Sequence, residues 1–288
     1  MHKAFLFFLF LLAILSAVII GVRGASYYAA SEQDRPFHPQ YDSLKPSGFE
    51  GHGYGIVGTA MITLGVVMYS SRKRLRALAG LGRISYFLEF HIFLCLLGPV
   101  LVVYHTTFKI GGLVAVSFWS MMAVVLSGVV GRYFYVQIPK GIHGNELSMS
   151  DLHAENAKLG RVLLEQFGLT DNIVARIDAV AMPPRDVTRM SLMEVVTFFV
   201  LNDVTRRAKL HHLLRDLRRR GLKADTLERL RHLAIRRMVL TRRIAFLQQF
   251  KQVFHYWHVI HLPFSIIMFV ILFVHVGVAV AFGYTWIW

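Results

Sequence analysis

Two pairs of histidines share one spacing. His91 and His105 stand 14 residues apart in one apolar stretch, and His261 and His275 stand 14 apart in another. On an α-helix 14 residues rise about 21 Å and fall only about 40° short of four full turns. Each pair therefore sits on one side of its helix, with one imidazole towards each leaflet of a hydrocarbon layer about 30 Å thick. Ionisable side chains at that depth are rare and usually functional. Two facing helices so equipped offer two axial nitrogens to each of two haems. Bis-imidazole iron has no open position for oxygen, which suits electron transfer better than gas binding.

Neighbouring residues bear on that chemistry. His255, His258 and His261 stand three apart on one helix side. His258 is therefore an alternative inner ligand, or a partner for a haem propionate or a quinone, although spacing and depth favour His261. His52, where the second apolar segment begins, offers a similar polar role. Gly51, Gly55, Gly58 and Gly65 follow a 4-3-7 spacing that aligns them on one helix face, and Gly128 and Gly131 do the same in the fourth segment. Such faces admit either a flat porphyrin or close helix packing. Arg132 is placed to neutralise a propionate or to anchor an interface, and Lys109 is its weaker outer equivalent. Glu89 either pairs with Arg83 or handles protons beside a quinone. Cys95 is the one cysteine, which leaves no means for an intrachain disulfide, a CxxC redox site, a Cys-based zinc site or covalent haem attachment. It reads as a small buried apolar residue, and any haem here is non-covalent and b-type.

The elements that must position these residues are apolar spans. The chain has 288 residues, 55% of them hydrophobic, beyond an ordinary soluble domain. Residues 4–22 form the first run, followed by segments at about 53–70, 84–107, 112–137 and 254–282. A cleaved signal peptide would explain the first run, because Val22-Arg23-Gly24 before Ala25 loosely resembles a cleavage site. The run is longer than the usual signal core of about 7–15 residues, so a retained helix is expected. Trp286 and Trp288 suit an interface. Membrane helices 1–4 thus fall in 1–137 and the last in 253–288, with a polar section, 138–252, between them.

Charge then predicts sidedness. With the 71–83 loop and 138–252 cytoplasmic, 28 of the 32 Lys and Arg lie inside, and only Arg23, Arg35, Lys45 and Lys109 lie outside. The expectation is an all-α integral membrane protein of five spans in a cell (inner) membrane, N-terminus inside and C-terminus outside. The third and fifth spans then run parallel, so His91 matches His261 in depth and His105 matches His275.

Residues 138–252 read as helical throughout. Ser148 and Asp151 form a capping-box pattern, Pro183-Pro184 breaks the section, Gly221 ends an Arg-rich helix, and Asp225 can cap another that continues towards the last span. From 205 to 251 there are 15 Lys or Arg against three acidic residues. Leu233, Leu240, Ile244 and Leu247 share one helix side, and Arg229, Arg236 and Arg243 share another. Anionic membrane lipid or an acidic redox partner suits these charges. Nucleic-acid binding has no fold motif to support it.

Two parallel membrane helices, each with histidines 13 or 14 residues apart, resemble the di-haem core of b-type cytochromes, as in ferric-reductase and NADPH-oxidase transmembrane domains and cytochrome b of quinol–cytochrome c oxidoreductases. The resemblance covers about 51–137 and 254–282. It implies a four-helix di-haem core in which His91 and His261 hold the inner haem and His105 and His275 the outer one. The flavin and nicotinamide domains of a ferric reductase do not follow the last span, and the Pro-Glu-Trp-Tyr quinol motif is absent. Electrons are therefore expected to pass through a quinone or another subunit, a c-type cytochrome or iron–sulfur protein. Two rival readings are a histidine-relay metal or proton transporter, and a membrane-anchored interaction protein acting through its basic helices.

Overall fold

A computed structural model describes residues 2–78, 80–112, 114–138, 148–182, 190–219 and 224–284. Among these every regular element is helical, as the composition and periodicity predict. The chain divides into two compact units, Met1–Val129 with Val259–Trp288, and Val130–His258; the charge pattern puts the comparable edges at 138 and 252.

The first unit opens with α1 (His2–Arg23). The connection that follows carries α2 (Ala25–Ala29), a 3-10 turn at Arg35–Phe37 and α3 (Tyr41–Leu44). Next come α4 (Phe49–Arg74), α5 (Ile84–His105) and most of α6 (Val114–Tyr135). The unit is completed by the later part of α11 (Leu247–Ala281). Four helices are long and apolar enough to cross a membrane: α4 together with the turn before it, α5, α6 and α11. They coincide with the second to fifth apolar segments of the sequence. In α1 the described apolar stretch is Phe7–Arg23, shorter than those four.

These helices wear their apolar side chains outward. Trp119, Leu126 and Val129 of α6 and Val259, Ile260, Val270 and Phe273 of α11 are all exposed, a surface suited to lipid rather than water. The buried cluster is small. Ile62 of α4, Phe118 and Met121 of α6 and Met268 of α11 form it, with Cys95, Val102 and Val103 of α5 packed against them. Backbone closeness is concentrated between α4 and α5. A Cβ on Gly58 would lie 2.7 Å from the Gly98 carbonyl oxygen, and one on Gly98 would lie 2.7 Å from that of Gly58. Only small residues permit this approach.

The second unit is built the opposite way round, with α7 (Met149–Glu165), α8 (Asp171–Ala181), α9 (Leu192–Arg219), α10 (Ala224–Ala245) and the start of α11. The predicted capping box opens α7: Ser148 Oγ accepts from the Asp151 amide at 3.2 Å, and Asp151 Oδ2 accepts from the Ser148 amide at 3.3 Å. Ser191 and Glu194 open α9 in the same way. Leu152, Leu163, Val195, Phe199, Leu230 and Phe246 are fully buried, each contributing about 1.5–3 kcal/mol relative to exposure. Leu240 and Leu247 cluster with Leu152, Val195, Phe199 and Phe246, with Leu233 and Ile244 at the edge. Asp225 does not cap α10; it lies within the first turn, where its charge favours the helix dipole. Only Phe246 separates α10 from α11. Pro183-Pro184, Gly221, Trp286 and Trp288 lie outside the described residues.

Candidate functional site

The α4–α5 contact fixes two of the four histidines. His105 Nδ1 lies 2.8 Å from the Gly51 carbonyl oxygen, and His91 Nδ1 lies 3.2 Å from that of Gly65. A carbonyl only accepts, so each Nδ1 carries the proton. In the neutral ring this leaves Nε2 as the free lone pair. Gly55 is what allows the His105 ring in, and Gly65 lets α4 approach α5 beside His91. A Cβ on Gly55 would stand 2.8 Å from Cγ and Nδ1 of His105, and one on Gly65 would meet Leu94 Cβ at 3.1 Å and Cys95 Sγ at 3.2 Å. Gly55, Gly58 and Gly65 therefore face α5, and two of them make room around a predicted ligand. Tyr69 stacks on His91 at 5.3 Å between ring centres, and Cys95 Sγ lies 3.6 Å from His91 Nδ1.

The α6–α11 side repeats the device with a hydroxyl. His261 Nδ1 lies 2.8 Å from Ser127 Oγ, while Ser127 Oγ donates to the Val124 carbonyl at 2.9 Å. With the hydroxyl proton directed at Val124, Ser127 Oγ is the acceptor and His261 Nδ1 the donor. Ser117 Oγ donates to the Met268 carbonyl at 3.0 Å, so polar residues on one face of α6 register α11. Gly128 is open beside this ring, a Cβ there being 3.8 Å from His261 Cε1. His275 has no hydrogen bond among the described residues. It is close enough to His105 and to His52 for their charges to interact, and the His52 and His105 rings meet edge-on at 6.2 Å. His105 and His275 thus lie at one end of the four helices.

Other predicted residues fall elsewhere. In the second unit, Trp257 fills the space beside Gly131, and Arg132 stands over the Tyr135 ring at 5.7 Å. His258 sits against Trp257 and Phe254, with ring centres at 5.4 and 6.3 Å. His255 meets Tyr256. Glu89 is buried in α5. Lys109 pairs with Glu32 at 3.7 Å.

Sequence reasoning missed Ser127, although Ser117, Ser120 and Ser127 recur on one face of an otherwise apolar segment. It also missed a cap over the His105 end. Arg35 there donates to three backbone carbonyls, those of Thr107 at 2.6 Å, Tyr28 at 3.0 Å and Ala30 at 3.1 Å. Tyr27 lies beneath the guanidinium, and Tyr28 packs on Tyr104 and Phe108. Burial pushes the Tyr27 and Tyr28 phenols above their ordinary range, so both remain neutral. Among the described residues no three His, Cys, Asp or Glu side chains converge as a metal cage. No protein-family model, curated protein or solved structure matches this chain.

Proposed function

We propose that this chain is the membrane subunit of a redox complex and carries electrons across a bilayer through two non-covalent b-type haems. One observation carries the reading. Three of the four predicted ligands, His91, His105 and His261, have Nδ1 committed to a carbonyl or hydroxyl oxygen, which fixes the tautomer that presents Nε2 to a metal. Such a partner for the second ring nitrogen is the usual companion of a metal-ligating histidine. His91 and His261 would hold one haem, and His105 and His275 the other. The donor set suits the group in a second respect. α5 and α11 share the Met268 cluster, yet their backbones do not run in the close contact that α4 and α5 make. When bound, each haem would supply an iron that exchanges one electron.

The protein's part is to orient the imidazoles and keep water from them. In this reading α1 is a fifth span, the basic 138–252 section is cytoplasmic, the C-terminus is extracytoplasmic, and the His105–His275 pair is the outer one. His261, held by Ser127, is the inner ligand, while His258 sits among aromatic rings where a quinone would find a hydrogen-bonding partner. A c-type cytochrome or iron–sulfur protein is the outer partner, and anionic lipid faces the basic helices.

The test is a reduced-minus-oxidised optical spectrum with haem quantification on protein purified from haem-replete cells. Two b-type haems per chain are expected, falling to one in His105→Ala and in His261→Ala. A colourless protein refutes the proposal and favours a transporter or an interaction protein.

A further inference from the structure

Four basic residues lie in the connections at the His105 end, and three of them meet a carboxylate. Arg23 pairs with Glu50 at 3.0 Å, Lys45 with Asp42 at 2.7 Å, and Lys109 with Glu32 at 3.7 Å. Arg35 is the exception, and it is also the buried one, at 7% exposure. Its partners are the carbonyls of Thr107, Tyr28 and Ala30 and the face of Tyr27. Among the described residues no carboxylate lies within ion-pair distance of it. Carbonyl dipoles solvate a guanidinium but leave its full positive charge in place.

Its position relative to the site follows from the chain. The shortest of these bonds goes to Thr107, two residues beyond His105. Two trans peptide links hold their Cα atoms no more than about 7.6 Å apart. Thr107 is itself buried, with a left-handed backbone at φ 51°, so the cap and the end of α5 are locked together at this residue. A charge buried at this end of α5 is less screened than one held in water. At the other end of α4 and α5, Arg72 in the last turn of α4 and Arg83 just before α5 are not buried, and water screens them.

We infer that Arg35 is a positioning residue that biases the outer site electrostatically, raising the reduction potential of the haem held by His105 and His275 above that of the haem held by His91 and His261. A ferric haem carries one more positive charge than the ferrous form it becomes on gaining an electron. A buried cation nearby therefore disfavours the oxidised state, and an electron settles on the outer side. This rests on the di-haem reading.

The experiment is potentiometric titration of the full-length haem-loaded protein with small-molecule reductant and oxidant, following the optical bands. Arg35→Gln keeps donors for the carbonyls and removes the charge; Arg35→Lys keeps the charge. The outer midpoint is expected to fall in Arg35→Gln, to remain near that of the unaltered protein in Arg35→Lys, and the inner midpoint to stay put in both. An unmoved outer midpoint in Arg35→Gln overturns the inference. So does an equal fall in both variants, or loss of the outer haem from both, either of which makes Arg35 a clamp only. Absence of haem from the unaltered protein would instead sink the parent reading. The outer bands are assigned with His105→Ala.

Discussion

α5 and α11 carry the same pair of histidines at the same spacing, yet they hold them differently. Of the apolar window of α5, 28% is buried, against 6% for α11. α5 is packed along α4, and both of its imidazoles are bonded to backbone carbonyls that glycines bring within reach. In α11, His261 is bonded to a serine hydroxyl rather than to a backbone carbonyl, and His275 has no hydrogen bond among the described residues. Pro263, two residues after His261, removes a backbone donor from the same helix. One wall of the proposed site is thus preorganised by the chain itself, whereas the other would be ordered by whatever bridges the two. Donors fixed in advance cost little entropy to use, and loosely held ones cost more.

The largest effects test whether the looser wall is needed at all. Changing His275 to alanine should remove the outer haem completely, leaving one haem per chain by optical quantification. Retention of both would mean that α11 contributes no outer ligand, and the comparison would lose its basis. Next comes the fit of the preorganised wall. Gly55→Ala places a methyl 2.8 Å from the His105 ring and should displace it from the Gly51 carbonyl. Outer-haem affinity should fall by about 100-fold, the upper end for losing an outer-shell partner. The matching change on the other wall, Gly128→Ala, adds a methyl at ordinary contact distance, 3.8 Å from His261, and should leave both haems bound. Equal losses in the two variants would show that the asymmetry is not real.

Much of this fold was legible because apolar runs report their own length. Segments at about 53–70, 84–107, 112–137 and 254–282 correspond to α4, α5, α6 and α11, the last of which begins earlier, at Leu247. One pair that the histidine spacing singles out, His105 and His275, lies within electrostatic reach. The glycine stripe could be read only as either packing or a flat surface; contact with α5 decides for close packing. What stayed hidden depends on long-range contact. Arg35 looked like one of four outer basic residues, and nothing local says that it reaches Thr107 across 72 positions. In the second unit the seven-residue recurrence drew attention to Arg229, Arg236 and Arg243. The inward-facing arginines are Arg237, bonded to Asp178 at 2.7 and 2.9 Å, and Arg242, buried over Phe199 at 4.4 Å. A periodic pattern finds a face but does not say which charges that face can satisfy.

Two smaller effects sharpen the comparison between walls. Ser127→Ala deletes the acceptor for His261 Nδ1 without adding bulk. The ring would keep its place in α11 but lose its fixed tautomer, so inner-haem affinity should fall by about 10-fold, the lower end for such a partner. Haem transfer to an apo-protein acceptor, followed optically, measures this. A fall as large as that of Gly55→Ala would put the two walls on an equal footing.

The smallest expected effect is at Gly65, and it tests the preorganised wall where it is tightest without a clash. A methyl there would meet Leu94 Cβ at 3.1 Å and Cys95 Sγ at 3.2 Å, so those neighbours must yield by a few tenths of an ångström. The Gly65 carbonyl that holds His91 moves with the α4 backbone. A helix that cannot relax transmits that shift to the ring; one that can relax absorbs it. Close packing of α4 on α5 through Gly58 and Gly98 leaves little room for relaxation. Gly65→Ala should therefore keep both haems but alter the inner one, visible as changed electron-paramagnetic g values with outer signals intact. Unchanged inner signals would mean that α4 yields freely, and that the firmness ascribed to this wall belongs to the histidines' own helix.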